Sequence, residues 1–170
     1  GITDHVIATA NKRGDSLAII DIEGGYVPPT ENTSGDNSVS NRGDVDTTVS
    51  NMRIRNFGKP GSFGAAYYPW VQIVDSTTGK IIPVPPSIPA LGAMSYTDRV
   101  QAPWFAPAGF NRGGLSTGNA GVNVVNVLKK LSQSDRDKLY PVSINPIASF
   151  PNEGIVIFGQ KTLQATPSAL

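Results

Sequence analysis

Proline and glycine constrain this chain more than any other feature of it, with 18 glycines and 14 prolines spread through 170 residues. That usage is well above average and predicts many turns and irregular segments between the regular elements. The length fits one domain or one large part of a larger subunit. Hydrophobic residues make up 39%, enough to build a core. Charged residues make up only 16%, where about 25% is usual. Such a surface suits a protein covered by its neighbours, and equally a small loop-rich domain.

The charge balance narrows the partners. A net charge of +1 with no long basic run disfavours direct nucleic-acid binding, which needs clustered Lys and Arg on phosphates. The absence of cysteine removes disulfides, thiolate metal sites and cysteine nucleophiles. No apolar run approaches the ~20 residues that span a bilayer, so no membrane insertion is expected. Residues 1–15 carry no apolar stretch of the signal-peptide kind.

Along the chain, Val6, Ile7 and Ala10 fall at helical spacing over 3–13, and Gly14 is a natural stop. Leu17 to Ile22 (LAIIDI) reads as a short buried strand, and helix, turn, strand is an α/β order. Residues 23–44, rich in Gly, Pro, Asn and Ser, read as a long loop. Asp44 is placed to cap a helix over about 45–57, where Val45, Thr48, Val49 and Met52 share a face. Residues 65–84 predict a hairpin, with AAYYPWVQIV and KIIPV around the turn Asp75–Gly79. Pro69 and Pro83 require an edge or an irregularity there. A helix over 87–100 follows, with Ser87 as candidate N-cap. After an irregular stretch at 101–121, a strand is expected at 122–128. Ser132 and Asp135 resemble a capping box for a helix to about Tyr140. Pro141 and Pro146 are expected to break the chain before a last strand at 154–158.

Enzyme chemistry finds little purchase. A catalytic triad needs a nucleophile, a histidine-like base and an orienting acid, and His5, beside Asp4, is the sole histidine. One histidine without cysteine makes zinc or copper sites improbable. The Gly-rich stretch from Arg112 to Gly121 lacks GxxxxGK[ST], and Gly24-Gly25 completes no dinucleotide fingerprint. No catalytic residue, cofactor or metal is therefore expected. The Arg-Gly-Asp triplets at 13–15 and 42–44 read as a helix-ending turn and as part of a loop.

Several motifs occur together in order. Tyr67-Tyr68-Pro69-Trp70-Val71 leads through Thr78-Gly79 to Val84-Pro85-Pro86-Ser87. Thr97-Asp98-Arg99 and Pro103-Trp104 precede Ala106-Pro107-Ala108-Gly109-Phe110-Asn111-Arg112-Gly113. Asp135 to Tyr140, Ile144-Asn145-Pro146-Ile147 and Gly154 to Leu163 close the series. Together they resemble the tail sheath family of contractile phage tails, over about 65–163.

That resemblance implies an α/β fold: a mixed sheet flanked by helices, loop-rich, a subtilisin-like sheath core without a catalytic triad. It implies one core domain at 1–170, a fragment of a longer subunit, with no family counterpart for the 23–44 loop. It further implies a structural, non-enzymatic role in the virion tail. Subunits would stack as hexameric rings around an inner tube, with the baseplate as a further partner, and contract to drive the tube through a host envelope. The residues it singles out as structural or interface motifs are Tyr68, Pro69, Trp70, Asp98, Trp104, Pro107, Ala108, Gly109, Asn111, Arg112, Gly113, Asn145 and Pro146. Trp104 is expected to bury against a sheet or a neighbour. The APAG–NRG loop reads either as an internal staple or as an interface carrying Arg112. A tail-binding module and a serine hydrolase stand as the alternative functions.

Overall fold

The computed structural model describes residues 1–22, 44–55, 63–118 and 120–164. The order is α1 (Ile2–Arg13), β1 (Ala18–Asp21), α2 (Val45–Arg55), β2 (Gly64–Tyr68), β3 (Val71–Val74), β4 (Ile81–Val84), α3 (Ser87–Val100), β5 (Val124–Val127), α4 (Gln133–Leu139), β6 (Ile144–Phe150) and β7 (Gly154–Ile157). A 3-10 turn at Tyr140–Val142 joins α4 to β6. The loop expected at 23–44 lies, apart from Asp44, outside the described residues, as does Gly24-Gly25.

Two sheets form. The larger has the order β1-β2-β6-β7, with β1, β2 and β6 parallel and β7 antiparallel to β6. The smaller is antiparallel, in the order β4-β3-β5. All five residues of β2 are buried, as befits a parallel strand covered on both faces. Alternate residues point into separate cores. Ala66, Tyr68 and Ile144 meet Ile7 and Ala10 of α1, Val45, Val49 and Met52 of α2, and Leu139 of α4. Ala65, Tyr67 and Ile147 meet Ala90 and Ala93 of α3 and Val71, Val84, Val124 and Val127 of the smaller sheet. The larger sheet is thus a middle layer, with α1, α2 and α4 on one side and α3 with the smaller sheet on the other.

Local signals set most boundaries. Gly14, at φ 71°, ends α1 and returns its N–H to the Ala10 carbonyl at 2.9 Å. Asp44 accepts from the Thr47 amide at 2.8 Å, and Val45, Thr48, Val49 and Met52 are all buried. Asp44 and Asp135 both hold their carboxyls below the usual range, first through backbone N–H donors, of Thr47 and Ser132 respectively. The Ser132–Asp135 capping box forms in both directions.

Three expectations need correction. The segment AAYYPWVQIV is not one hairpin arm. Its first half, β2, pairs in the larger sheet, and only β3 pairs with β4, because the chain changes sheets at Pro69 and Trp70 after a cis Tyr68–Pro69 bond. Pro83 does lie on an edge strand, β4. Pro146 does not break the chain but sits inside β6, a seven-residue strand. It occupies the point where β6 hands over from β2 (Tyr68↔Pro146) to β7 (Ile147↔Ile157), so its missing N–H interrupts neither ladder, and its carbonyl accepts from Phe158 at 2.8 Å. Ser87 is the first residue of α3 and not its cap. The capping oxygens come from Asp21 at the end of β1, which accepts from the Ser87 amide at 3.0 Å and hydroxyl at 2.7 Å.

Candidate functional site

The motif residues fall into two inner groups and one outer group. Tyr68, Pro69, Asn145 and Pro146 lie buried at the ends of adjacent parallel strands. Burial drives the Tyr68 phenol far above its usual pKa, and nearby Asp44 adds to the effect. Trp70 is half-buried, and its carbonyl accepts from Leu128 at 2.9 Å. Asn145 is only 1% exposed. Its side chain accepts from the Lys161 amide at 2.7 Å and donates to the Lys161 carbonyl at 2.8 Å. This two-bond clamp draws the segment after β7 back across β6, so that Leu163 donates to Gly64 at 2.9 Å and enters the first core. Gly159 makes room for it, since a Cβ there would stand 2.8 Å from the Asn145 amide oxygen.

The APAG–NRG loop runs along β7. Gly109 donates to Ile157 at 2.8 Å, Ile157 donates back to Gly113 at 2.8 Å, and Leu115 donates to Ile155 at 2.8 Å. Gly114 stands opposite Val156. The loop therefore covers the open edge of the larger sheet, which would otherwise offer unpaired backbone groups. Gly109 takes φ 80°. A Cβ on Gly113 would lie 2.5 Å from the Ile157 carbonyl oxygen. Pro107 and Ala108 are half-buried against this edge.

The same loop turns large side chains outward. Trp104 is 82% exposed and Phe110 50%. Trp104 thus does not bury against a sheet of its own domain, because the loop's backbone occupies the sheet edge and leaves the ring outside. Arg112 places its guanidinium carbon 4.0 Å from the centre of the Phe105 ring. Asn111 and, on the last turn of α3, Asp98 are also exposed. Phe110, Phe150 and Phe158 form a ring cluster with centroids 5.0–5.5 Å apart, and Arg136 lies 5.5 Å from the Phe150 ring. Sequence reading missed this cluster: Phe150 belongs to none of the motifs, and Phe158, inside the Gly154–Leu163 stretch, gave no sign of meeting Phe110 some 48 residues earlier.

Among the described residues no catalytic constellation accompanies this surface. His5 is exposed on α1, and Asp21 and Ser87 act together as a helix cap. Among the described residues no group of three His, Cys, Asp or Glu is placed to hold a metal, and no helix is long and apolar enough to cross a membrane. Arg13 and Asp15 of the first Arg-Gly-Asp pair with each other at 2.9 Å around the Gly14 cap. Most of the second triplet lies outside the described residues.

No protein-family model matches the chain. Over 98% of its length it is 27% identical to the tail sheath protein of Enterobacteria phage T4. Over 78 residues it is 44% identical to the tail sheath protein of Vibrio phage KVP40, and over 100 residues 30% identical to that of Salmonella phage ViI. The chain is similar to phage tail sheath proteins. It spans 11 to 24% of the length of these sheath proteins. Its fold matches solved structures of the anti-feeding prophage at 19% identity. A chain in the structure of its baseplate aligns with TM-score 0.61 over 97% of this chain and 34% of its own, and a chain in the structure of its contracted helical sheath with 0.56 over 95% and 37%. The sheath relatives are structural proteins of the tail and not enzymes, and the serine hydrolase reading is set aside with them.

Proposed function

We propose that this chain is a core domain of a contractile tail sheath subunit. Subunits stack as hexameric rings around an inner tube, meet the baseplate at one end, and contract to drive the tube through a host envelope. The observation that carries this reading is the match to a tail sheath protein along 98% of the chain, together with a fold shared with a contracted sheath. The core is subtilisin-like in outline but serves assembly. The work comes from exchange between two packings of near-rigid subunits, the extended one held as a kinetic trap above the contracted one. The paired, covered edge of the larger sheet and the two packed cores supply that rigidity. The motif residues divide the labour: Tyr68, Pro69, Asn145, Pro146, Gly109 and Gly113 hold the domain, while Trp104, Asn111, Arg112 and Asp98 face neighbours. Location in the virion tail follows from the same reading.

Immuno-electron microscopy tests it, using antibody raised against this chain on particles from its source. Label at regular intervals along a contractile tail is expected. The fold match to a baseplate chain gives the competing reading, a baseplate binding module. Label confined to the baseplate would establish that instead, and label absent from extended and contracted tails alike would overturn both.

A further inference from the structure

Arg112 lines a notch of about 120 Å³ between α3 and the 110–120 loop. That is the scale of one side chain, far below the ~300–1,000 Å³ of small-molecule pockets. Tyr96, Asn111 and Thr117 line it too. Among the described residues, the Tyr96 hydroxyl, the Asn111 side-chain amide, the Thr117 hydroxyl and the Arg112 guanidinium have no hydrogen-bond partner. Arg112 also has no carboxylate within ion-pair distance among them. Its guanidinium carbon stands 4.0 Å from the centre of the Phe105 ring, a contact that holds the group and uses none of its N–H donors.

Donors dominate this set. The guanidinium fork matches the two oxygens of a carboxylate, and the amide and hydroxyl donors can meet the lone pairs that remain. Arg99 adds a second positive charge, 5.7 Å from the centre of the Tyr96 ring and likewise in no ion pair among the described residues. Asp98, its neighbour in the chain, is exposed and within ion-pair distance of neither arginine. The rim says what carries the carboxylate. Phe110 lines the notch, Phe105 lies on Arg112, and Trp104 stands 6.3 Å from Phe105. All three rings are exposed. An arginine set among exposed aromatic rings is the composition of a protein–protein contact centre. A small free anion would leave those rings uncovered, whereas an acidic side chain arrives with neighbouring residues that cover them.

We propose that the Arg112 notch is a docking point for the carboxylate of an Asp or Glu side chain on another polypeptide chain. Trp104, Phe105 and Phe110 pack against the residues beside that acid and keep water from the ion pair. The proposal rests on the sheath reading for the neighbour that brings the acid, and names the chemistry of one of its contacts.

The test uses full-length subunits. A minority of isotope-labelled subunits carrying Arg112→Lys is co-assembled with unlabelled wild type and treated with a carbodiimide, which joins an amine to a carboxylate in contact with it. Mass spectrometry of the digested sheaths is expected to find the labelled peptide joined through residue 112 to an acidic residue of an unlabelled chain. In parallel, phenylglyoxal, which modifies accessible guanidinium groups, is expected to react with Arg112 of free wild-type subunits and to lose that reaction in the sheath. A cross-link from residue 112 to a labelled acidic peptide only, in free subunits and sheaths alike, would put the acid on the same chain and overturn the docking. Well-formed sheaths with no cross-link at residue 112, or with Arg112 still open to phenylglyoxal, would overturn it too and leave the sheath reading standing. Wild-type subunits that form no sheath would bring down both.

Discussion

Replacing Gly92 by alanine sets two effects against each other. Gly92 lies in the interior of α3, where alanine ordinarily stabilises a helix by about 1 kcal/mol. Here an added Cβ would stand 1.6 Å from the Ala120 carbonyl oxygen and 2.5 Å from its carbon. Ordinary C···O contacts begin at ~3.3 Å, so the helix and the loop must part by roughly 1.7 Å. The obstacle is backbone, so no side chain can swing aside, and Ala120 belongs to the second core. Overpacking of this kind costs about 1–3 kcal/mol and occasionally more. The clash sits at the upper end of that range. After subtracting the helix gain, the expected net loss is about 2 kcal/mol. At ~2–4 °C per kcal/mol for a chain of this size, Gly92→Ala should melt about 4–8 °C below wild type. Thermal unfolding followed by circular dichroism reads this directly. Gly114→Ala is the control, because a Cβ there meets nothing within 4 Å. A Gly92→Ala melting point at or above wild type would show that α3 and the 120 loop are not in the described contact.

Two further outcomes follow from buried polar groups. Asn145→Ala removes both hydrogen bonds to the Lys161 backbone, each worth ~1 kcal/mol. Because Lys161 is exposed and water can take over its backbone groups, a loss of about 2 kcal/mol is expected in denaturant titration, with earlier amide exchange at Leu163. Burial raises the Tyr67 phenol from 10.0 to about 12. The unfolded chain therefore releases this proton first, and stability, intact below pH 10, falls as pH rises toward about 12. Tyrosinate absorbance at 295 nm that titrates entirely near pH 10, with no late component, would contradict the burial of Tyr67 and of Tyr68 alike.

Much of the fold was legible because short-range physics wrote it. Gly14, Asp44 and the Ser132–Asp135 pair mark helix ends through bonds that span three or four residues, and α1, α2 and α4 lie where those signals point. What local reading could not supply was partnership. AAYYPWVQIV looks like one arm because its apolar run is continuous, yet two strands of different sheets share it. Pro146 reads as a breaker until β2 and β7 are known to take β6 in turn. Asp21 caps α3 from 66 residues away, which no local window reveals. The candidate surface divides in the same way. The glycines of APAG–NRG announce a crowded backbone, and the loop is crowded against β7. The Phe110–Phe150–Phe158 cluster needs the β6–β7 hairpin before it exists. The exposed Trp104 shows that a large aromatic in a motif need not belong to its own domain's core.

Leu115 has a mechanical consequence. Its N–H reaches Ile155 in the larger sheet at 2.8 Å, while its carbonyl takes the Val124 amide of the smaller sheet at 3.4 Å. One residue, through the two peptide units it joins, thus links two sheets that also meet through side chains and through the short Pro69–Trp70 link. A pull on the smaller sheet arrives at β7 as shear along a hydrogen-bonded ladder, where several bonds resist together. The two sheets are thereby coupled through backbone as well as through packed side chains, so they are expected to resist separation as one body.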